Sequence, residues 1–247
     1  MERRFEERKR ELLADCEVAP EVFQGVLGRL REFAQPFLDQ LVRSEQRDHA
    51  IQYCSGLLSD LEQKNCEAIA YRNNEDRQGI QVFIGSSPWD YRAWIVELSR
   101  QVGEEIGEKD GVIALDPSGF AKSGAYSVGT QRQWCGRLGK IDNCQVGVFM
   151  GYVSRKEHAL VNTRLYLPKE WAKDRKRRAR CGVPAKIRYE TRHQLALQML
   201  AESGPLLPHE WITGDDEMGR PYRFRRDLHD LQERYLLAVP DLSLIHI

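Results

Sequence analysis

The stretch GVIALDPSGFAKSG, residues 111–124, decides how the chain is read. Val112, Ile113, Ala114 and Leu115 form a short apolar run that gives way to Asp116, Pro117 and Ser118. An apolar run of this length, closed by turn formers, is the pattern of a buried strand. WITGDDEMG at 211–219 repeats the shape, with Asp215, Asp216 and Glu217 after the apolar residues. A lone Asp at a strand end is ordinarily a turn former or a helix cap. Two such ends in one domain read differently. If the strands are adjacent and parallel, their C-terminal ends gather carboxylates, and like charges at close range are costly without a cation. Mg²⁺ takes oxygen ligands and needs only one or two protein carboxylates beside substrate phosphates. The pattern therefore predicts metal-assisted phosphodiester chemistry.

The segments around these two ends alternate. CQVGVFMGYVS (144–154) and ALVNTRLYLP (159–168) carry β-branched and aromatic residues with partial alternation, which predicts neighbouring strands. KIRYETRHQLALQMLAE (186–202) is amphipathic, with Leu195, Met199 and Leu200 on its inner side. WITGDD reads as a strand, GRPYRFRRDLHDLQER as a helix and YLLAVP as a last strand. The order predicts an α/β domain.

Upstream the texture is helical. Val22, Val26, Leu27, Leu30, Phe33, Phe37, Leu38 and Leu41 recur at three- and four-residue steps, with Pro36 set to end or kink the helix. A second pattern runs through Ile51, Leu57, Leu58, Leu61, Ile69 and Ala70. A third follows SSPWD (86–90), where Ser87 or Asp90 is placed to cap it. The reading gives an all-α domain over 1–105 and an α/β domain over 106–241, with the boundary around 103–110.

Charge is divided unevenly. Lys plus Arg equal Asp plus Glu at 37 each, yet residues 1–110 carry 15 basic and 22 acidic side chains and residues 111–247 carry 22 and 15. A polyanion would prefer the second half. There Lys173, Arg175, Lys176, Arg177, Arg178 and Arg180 stand against the single anion Asp174. The run fits a solvated face and a phosphate-binding strip equally well; beside a metal site, contact with DNA is the better reading.

Other classes fall away. No glycine precedes Lys122 in AKS (121–123), so no GxxxxGK phosphate loop can be drawn. The six cysteines, Cys16, Cys54, Cys66, Cys135, Cys144 and Cys181, show no CxxC spacing and read as free thiols of a reducing compartment. No apolar run approaches the ~20 residues of a membrane span, and MERRFEERKRELL has no apolar core behind its charges. A soluble, cytoplasmic protein is expected, with no membrane partner; a homo-oligomer is compatible with the sequence.

The residues also match a known pattern: LDPSGFxKSG, then QRQWCGRxGKxxNCQVGVF, then WxxGDDExGR. From YCSGLLSDLEQKNCEAIAY to about Pro240 the chain resembles bacterial insertion-sequence transposases of the DDE type. The resemblance implies a ribonuclease H-like core, with Asp116 as first catalytic and metal-binding carboxylate. It implies Asp215 as the second, through the D-x-x-x-G pattern ending at Gly219, with Asp216 as the alternative. It further implies Mg²⁺ (or Mn²⁺) as cofactor and double-stranded DNA, terminal repeats and target, as partner. The reaction would be cleavage at transposon ends followed by strand transfer, with Ser118 and Gly119 leaving room for a DNA backbone. The helical domain would bind DNA.

The chain departs from that pattern at its end. A third carboxylate, a Glu on a later helix, should lie beyond a further segment, and Glu217 is too near Asp215 in sequence to be assigned its role. The last residues, LSLIHI (242–247), read as a translated adapter. The expectation is an incomplete core truncated at about Asp241, inactive as it stands. The alternative is a non-catalytic DNA-binding fragment that interferes with a full-length transposase.

Overall fold

The computed structural model describes Arg10 and residues 24–239. The expected tail at 242–247 and the start of the first helix at Val22 lie outside the described residues. Two compact units divide between Ala93 and Trp94.

The first unit is helical: α1 (Val26–Leu38), α2 (Ser44–Leu57), α3 (Cys66–Arg72) and α4 (Arg77–Gly85). Pro36 sits in the last turn of α1, where its missing N–H removes one bond to the preceding turn, and the helix ends two residues later. The second sequence pattern is two helices. They break across the polar segment SDLEQKN, where Asn65 takes over as cap and accepts from the Ala68 N–H at 2.9 Å. Ile69, Ala70 and Ile80 form the buried centre of the unit. Helix α4 escaped the sequence reading because its apolar face, Ile80 and Phe83, spans a single turn.

In the second unit the helix α5 (Tyr91–Glu105) is capped by Asp90, whose Oδ1 accepts from the Arg92 N–H at 3.0 Å. Leu98, Val102 and Ile106 pack into the core of the α/β sheet. The compact units divide within the first turn of α5, upstream of the composition shift at 103–110, which marks where the strands begin.

Six strands follow: β1 (Val112–Ala121), β2 (Gln131–Cys135), β3 (Lys140–Val153), β4 (His158–Leu165), β5 (Trp211–Gly214) and β6 (Tyr235–Leu237). Along the sheet the order is β2-β3-β1-β5-β6, and β4 pairs with the far half of β3. The first four strands are antiparallel neighbours, while β1, β5 and β6 run parallel. This is a ribonuclease H-like core preceded by helices. Helix α8 (Arg192–Ser203) covers it with Leu195, Ala196, Met199 and Leu200 against Ile113, Leu115, Met150 and Ile212. It starts later than the sequence pattern, because Thr191 and Gln194 close a capping box there.

One expectation is corrected. The first strand does not stop at Asp116. It continues to Ala121, paired with β3 down to Cys144. What stops is the parallel ladder to β5, at Leu115 opposite Gly214. Beyond that point β1 has lost its β5 neighbour, and Pro117, which has no N–H to give, is tolerated at the new edge.

Candidate active site

The carboxylates stand where the parallel ladder ends. Leu115 and Gly214 are its last pair, so Asp116 and Asp215 leave adjacent strands side by side. Both line one recess of about 200 Å³, together with Ser118, Trp134, Arg137, Arg192 and Glu217.

Each carboxylate is held by one oxygen. Ser118 Oγ donates to Asp116 Oδ2 at 2.6 Å. Asp215 caps the single turn α9 (Asp216–Gly219), its Oδ1 accepting the Met218 N–H at 3.1 Å. Among the described residues the other oxygen of each has no hydrogen-bond partner. The turn is tight against the last strand: a Cβ on Gly219 would lie 1.9 Å from the Ala238 carbonyl oxygen, so only glycine fits four residues after Asp215.

The two neighbouring acids behave otherwise. Asp216 points away to an exposed pair with Arg220 at 2.9 Å and does not line the recess. Glu217 lines it but is engaged: Arg192 Nη1 donates to its Oε1 at 2.5 Å. Arg192 is itself supported by Gln133 Oε1 at 3.3 Å and by the Tyr166 ring, 4.8 Å from the guanidinium. His193 Nε2 faces the Glu217 carbonyl at 2.9 Å. The start of α8 thus clasps the turn that carries Asp215. Among the described residues no group of three His, Cys, Asp or Glu side chains is arranged to hold a metal ion.

Ser118 and Gly119 both line the recess and are also used by the fold. Ser118 is spent on Asp116, and Gly119 is buried where a Cβ would meet the Cα and Sγ of Cys135 at 3.2 Å. The small residue admits β2, which packs against it.

The basic run divides in two. It straddles α6 (Lys169–Lys173) and α7 (Arg175–Arg180), with Asp174 capping α7 through the Arg177 N–H at 2.9 Å. Arg177 lies over the Trp171 ring at 3.7 Å and donates to the carbonyls of Ala125 and Thr130. Arg178 donates to the carbonyls of Ala172, Pro184 and Ile187. Arg180 donates to the Tyr126 hydroxyl at 2.8 Å. These three arginines staple loops of their own chain. Lys173, Arg175 and Lys176 are exposed and, among the described residues, carry no partner. The six cations of the run therefore differ in their surroundings.

Sequence reasoning missed Arg192 and the strand β2. Arg192 sits at the polar start of an amphipathic helix, where a cation reads as solvated. β2 shows only a short alternation, Arg132 and Trp134 outward against the buried Cys135, and no apolar run announces it.

The family model for DDE superfamily endonucleases matches residues 36–247. The chain belongs to this superfamily. A DDE endonuclease core is consistent with the helices followed by a mixed sheet. Among curated relatives, the probable transposase for insertion sequence element IS701 of Microchaete diplosiphon is 36% identical over 107 residues, covering 39% of this chain and 27% of the relative. The five cysteines among the described residues are free thiols. Among those residues, no helix is long and apolar enough to cross a membrane.

Proposed function

We propose that the chain carries the catalytic core of an insertion-sequence transposase, with Asp116 and Asp215 as its metal-binding and catalytic carboxylates. One observation carries the reading: both acids line a single recess at the end of the β1–β5 ladder, each with one oxygen unengaged. Two such groups side by side repel unless a cation joins them, and oxygen donors of this kind suit Mg²⁺ or Mn²⁺. When bound, the metal would supply Lewis-acid stabilisation of the oxygens at a phosphodiester under attack.

The chain's own part is positional. Ser118 and the α9 turn orient the two carboxylates, and the clasp of Arg192 and His193 on Glu217 holds that turn. Arg137 and Arg192 set positive charge at the recess, where an anionic backbone would arrive. Lys173, Arg175 and Lys176 would add sequence-independent phosphate contacts. The helical unit would supply base contacts at the insertion-sequence ends.

Glu217 is tied to the Arg192 cation through Oε1, so among the described residues Asp116 and Asp215 are the carboxylates at the recess that no cation neutralises. We therefore expect weak metal affinity without DNA and little or no strand cleavage by this chain, which then acts as a DNA-binding, non-cutting form. The assay is Mg²⁺-dependent nicking of a duplex bearing the insertion-sequence end, with Asp116→Ala as control. Nicking that persists in the control would refute the site; Mg²⁺-dependent nicking lost in it would confirm the site and refute the inactivity.

A further inference from the structure

Beside the recess the β2–β3 hairpin exposes side chains that a folded chain ordinarily covers. Trp134 is 56% exposed, its register partner Ile141 59% and Leu138 at the tip 46%. Trp134 and Arg137 both line the recess with the two aspartates. Cations alternate with the rings: Arg132 lies two residues before Trp134 on the same outward face of β2, and Arg137 stands 5.4 Å from the centre of the half-exposed Phe120 ring. Among the described residues, nothing hydrogen-bonds the Trp134 indole N–H.

We propose that Trp134 and its flanking arginines form a stacking platform for an unpaired nucleobase next to the phosphate held at the recess. The inference rests on the DNA-cutting reading above. The chemistry selects the occupant. A bare indole face takes any base, because every base has a π-face, while guanidinium groups on either side meet the backbone phosphates. A paired base within a duplex is stacked on its neighbours and presents only its edges, so the ring can be used only by a base that has left the stack. The hairpin would thus hold one strand open at the point where the carboxylates act.

The test places 2-aminopurine as a probe base in two DNAs of equal length, one fully paired and one forked with the probe unpaired, and titrates each with the full chain. The wild type is expected to bind the fork more tightly and to quench its fluorescence by stacking. Trp134→Ala should weaken fork binding roughly 5- to 150-fold and leave duplex binding and the melting temperature unchanged, with Trp134→Phe restoring most of the difference. Equal losses on both DNAs, or no loss, would overturn the platform while leaving the DNA-cutting reading in place. Wild-type protein that binds neither DNA would overturn both. A self-associating wild type whose oligomer dissociates in Trp134→Ala, with DNA binding unaltered, would assign the hairpin to a second copy of the chain instead.

Discussion

Arg192 on α8 meets Glu217 on the α9 turn at 2.5 Å, and this pair fixes how many acids the recess can offer. Both side chains are largely shielded, at 17% and 33% exposure, so neither is a loose surface ion. Breaking the pair should cost about 1–3 kcal/mol of stability. The consequences for metal are asymmetric. Arg192→Gln releases Glu217 and removes a competing cation, so Mn²⁺ affinity, read by titration calorimetry, should rise. Glu217→Gln leaves the Arg192 cation uncompensated beside the recess, so the affinity should fall only modestly, through charge alone. A marked fall with Glu217→Gln would make Glu217 a ligand.

The assignment between the two adjacent aspartates is equally open to measurement. Asp215 lines the recess and Asp216 pairs outward with Arg220. Asp116→Asn and Asp215→Asn should each abolish measurable divalent-ion binding in the absence of DNA. Asp216→Asn should leave it intact and cost at most about 0.5 kcal/mol of stability, the worth of an exposed helix pair. Asp215→Asn keeps the cap on Met218, since a side-chain amide oxygen also accepts, so its loss of metal would not come from unfolding. Metal binding lost in Asp216→Asn and kept in Asp215→Asn would reverse the assignment.

Much of this core was legible because its strands are short apolar runs with carboxylates at fixed places behind them. Val112–Leu115 and Trp211–Gly214 announce themselves in that way. Less was legible where a residue's role depends on tertiary partners. Asp116 looked like a strand end because the eye reads Pro117 as a stop, whereas the antiparallel partner β3 carries the strand past it. Arg177 and Arg178 looked like their neighbours in a charged run, and only the carbonyls of Thr130, Pro184 and Ile187 distinguish them. Trp134 sits outward on a strand with no apolar rhythm, so its place beside Asp116 emerges only when β2 folds against Gly119.

Tyr166 provides a check on the packing behind Arg192. Burial, and beyond it the neighbouring Tyr189, push its phenol up to about 12. The usual value is about 10. Because the folded state disfavours the phenolate, the stability tied to this group is complete below pH ~10 and is lost as pH rises from ~10 towards 12. The difference in 295 nm absorbance between wild type and Tyr166→Phe should show one late-ionising phenol. An ionisation at the usual value would mean that this side of α8 is open to water.

The basic run gives the sharpest separation of structure from binding. Lys173, Arg175 and Lys176 are solvent-facing and have no partner among the described residues, whereas Arg177 and Arg178 hold backbone carbonyls at 2.7–3.1 Å. Changing the first three to Ala should leave the melting temperature within experimental error. It should weaken binding to any duplex alike and flatten the dependence of log K on log salt by about 0.9 for each phosphate no longer neutralised. Arg177→Ala should act otherwise. It removes one of the two donors to the Thr130 carbonyl, which keeps the Trp171 indole N–H, and uncovers the Trp171 ring, at a cost of about 1 kcal/mol or slightly more, and it should change the salt slope little. Binding and stability are measured on the same preparations, so a fold defect cannot pass for weakened DNA binding. If the triple substitution leaves the slope unaltered, the three cations are solvated surface and the DNA path runs elsewhere. If Arg177→Ala alone flattens the slope with no loss of stability, its hydrogen bonds to the loop are dispensable and the guanidinium belongs to the DNA.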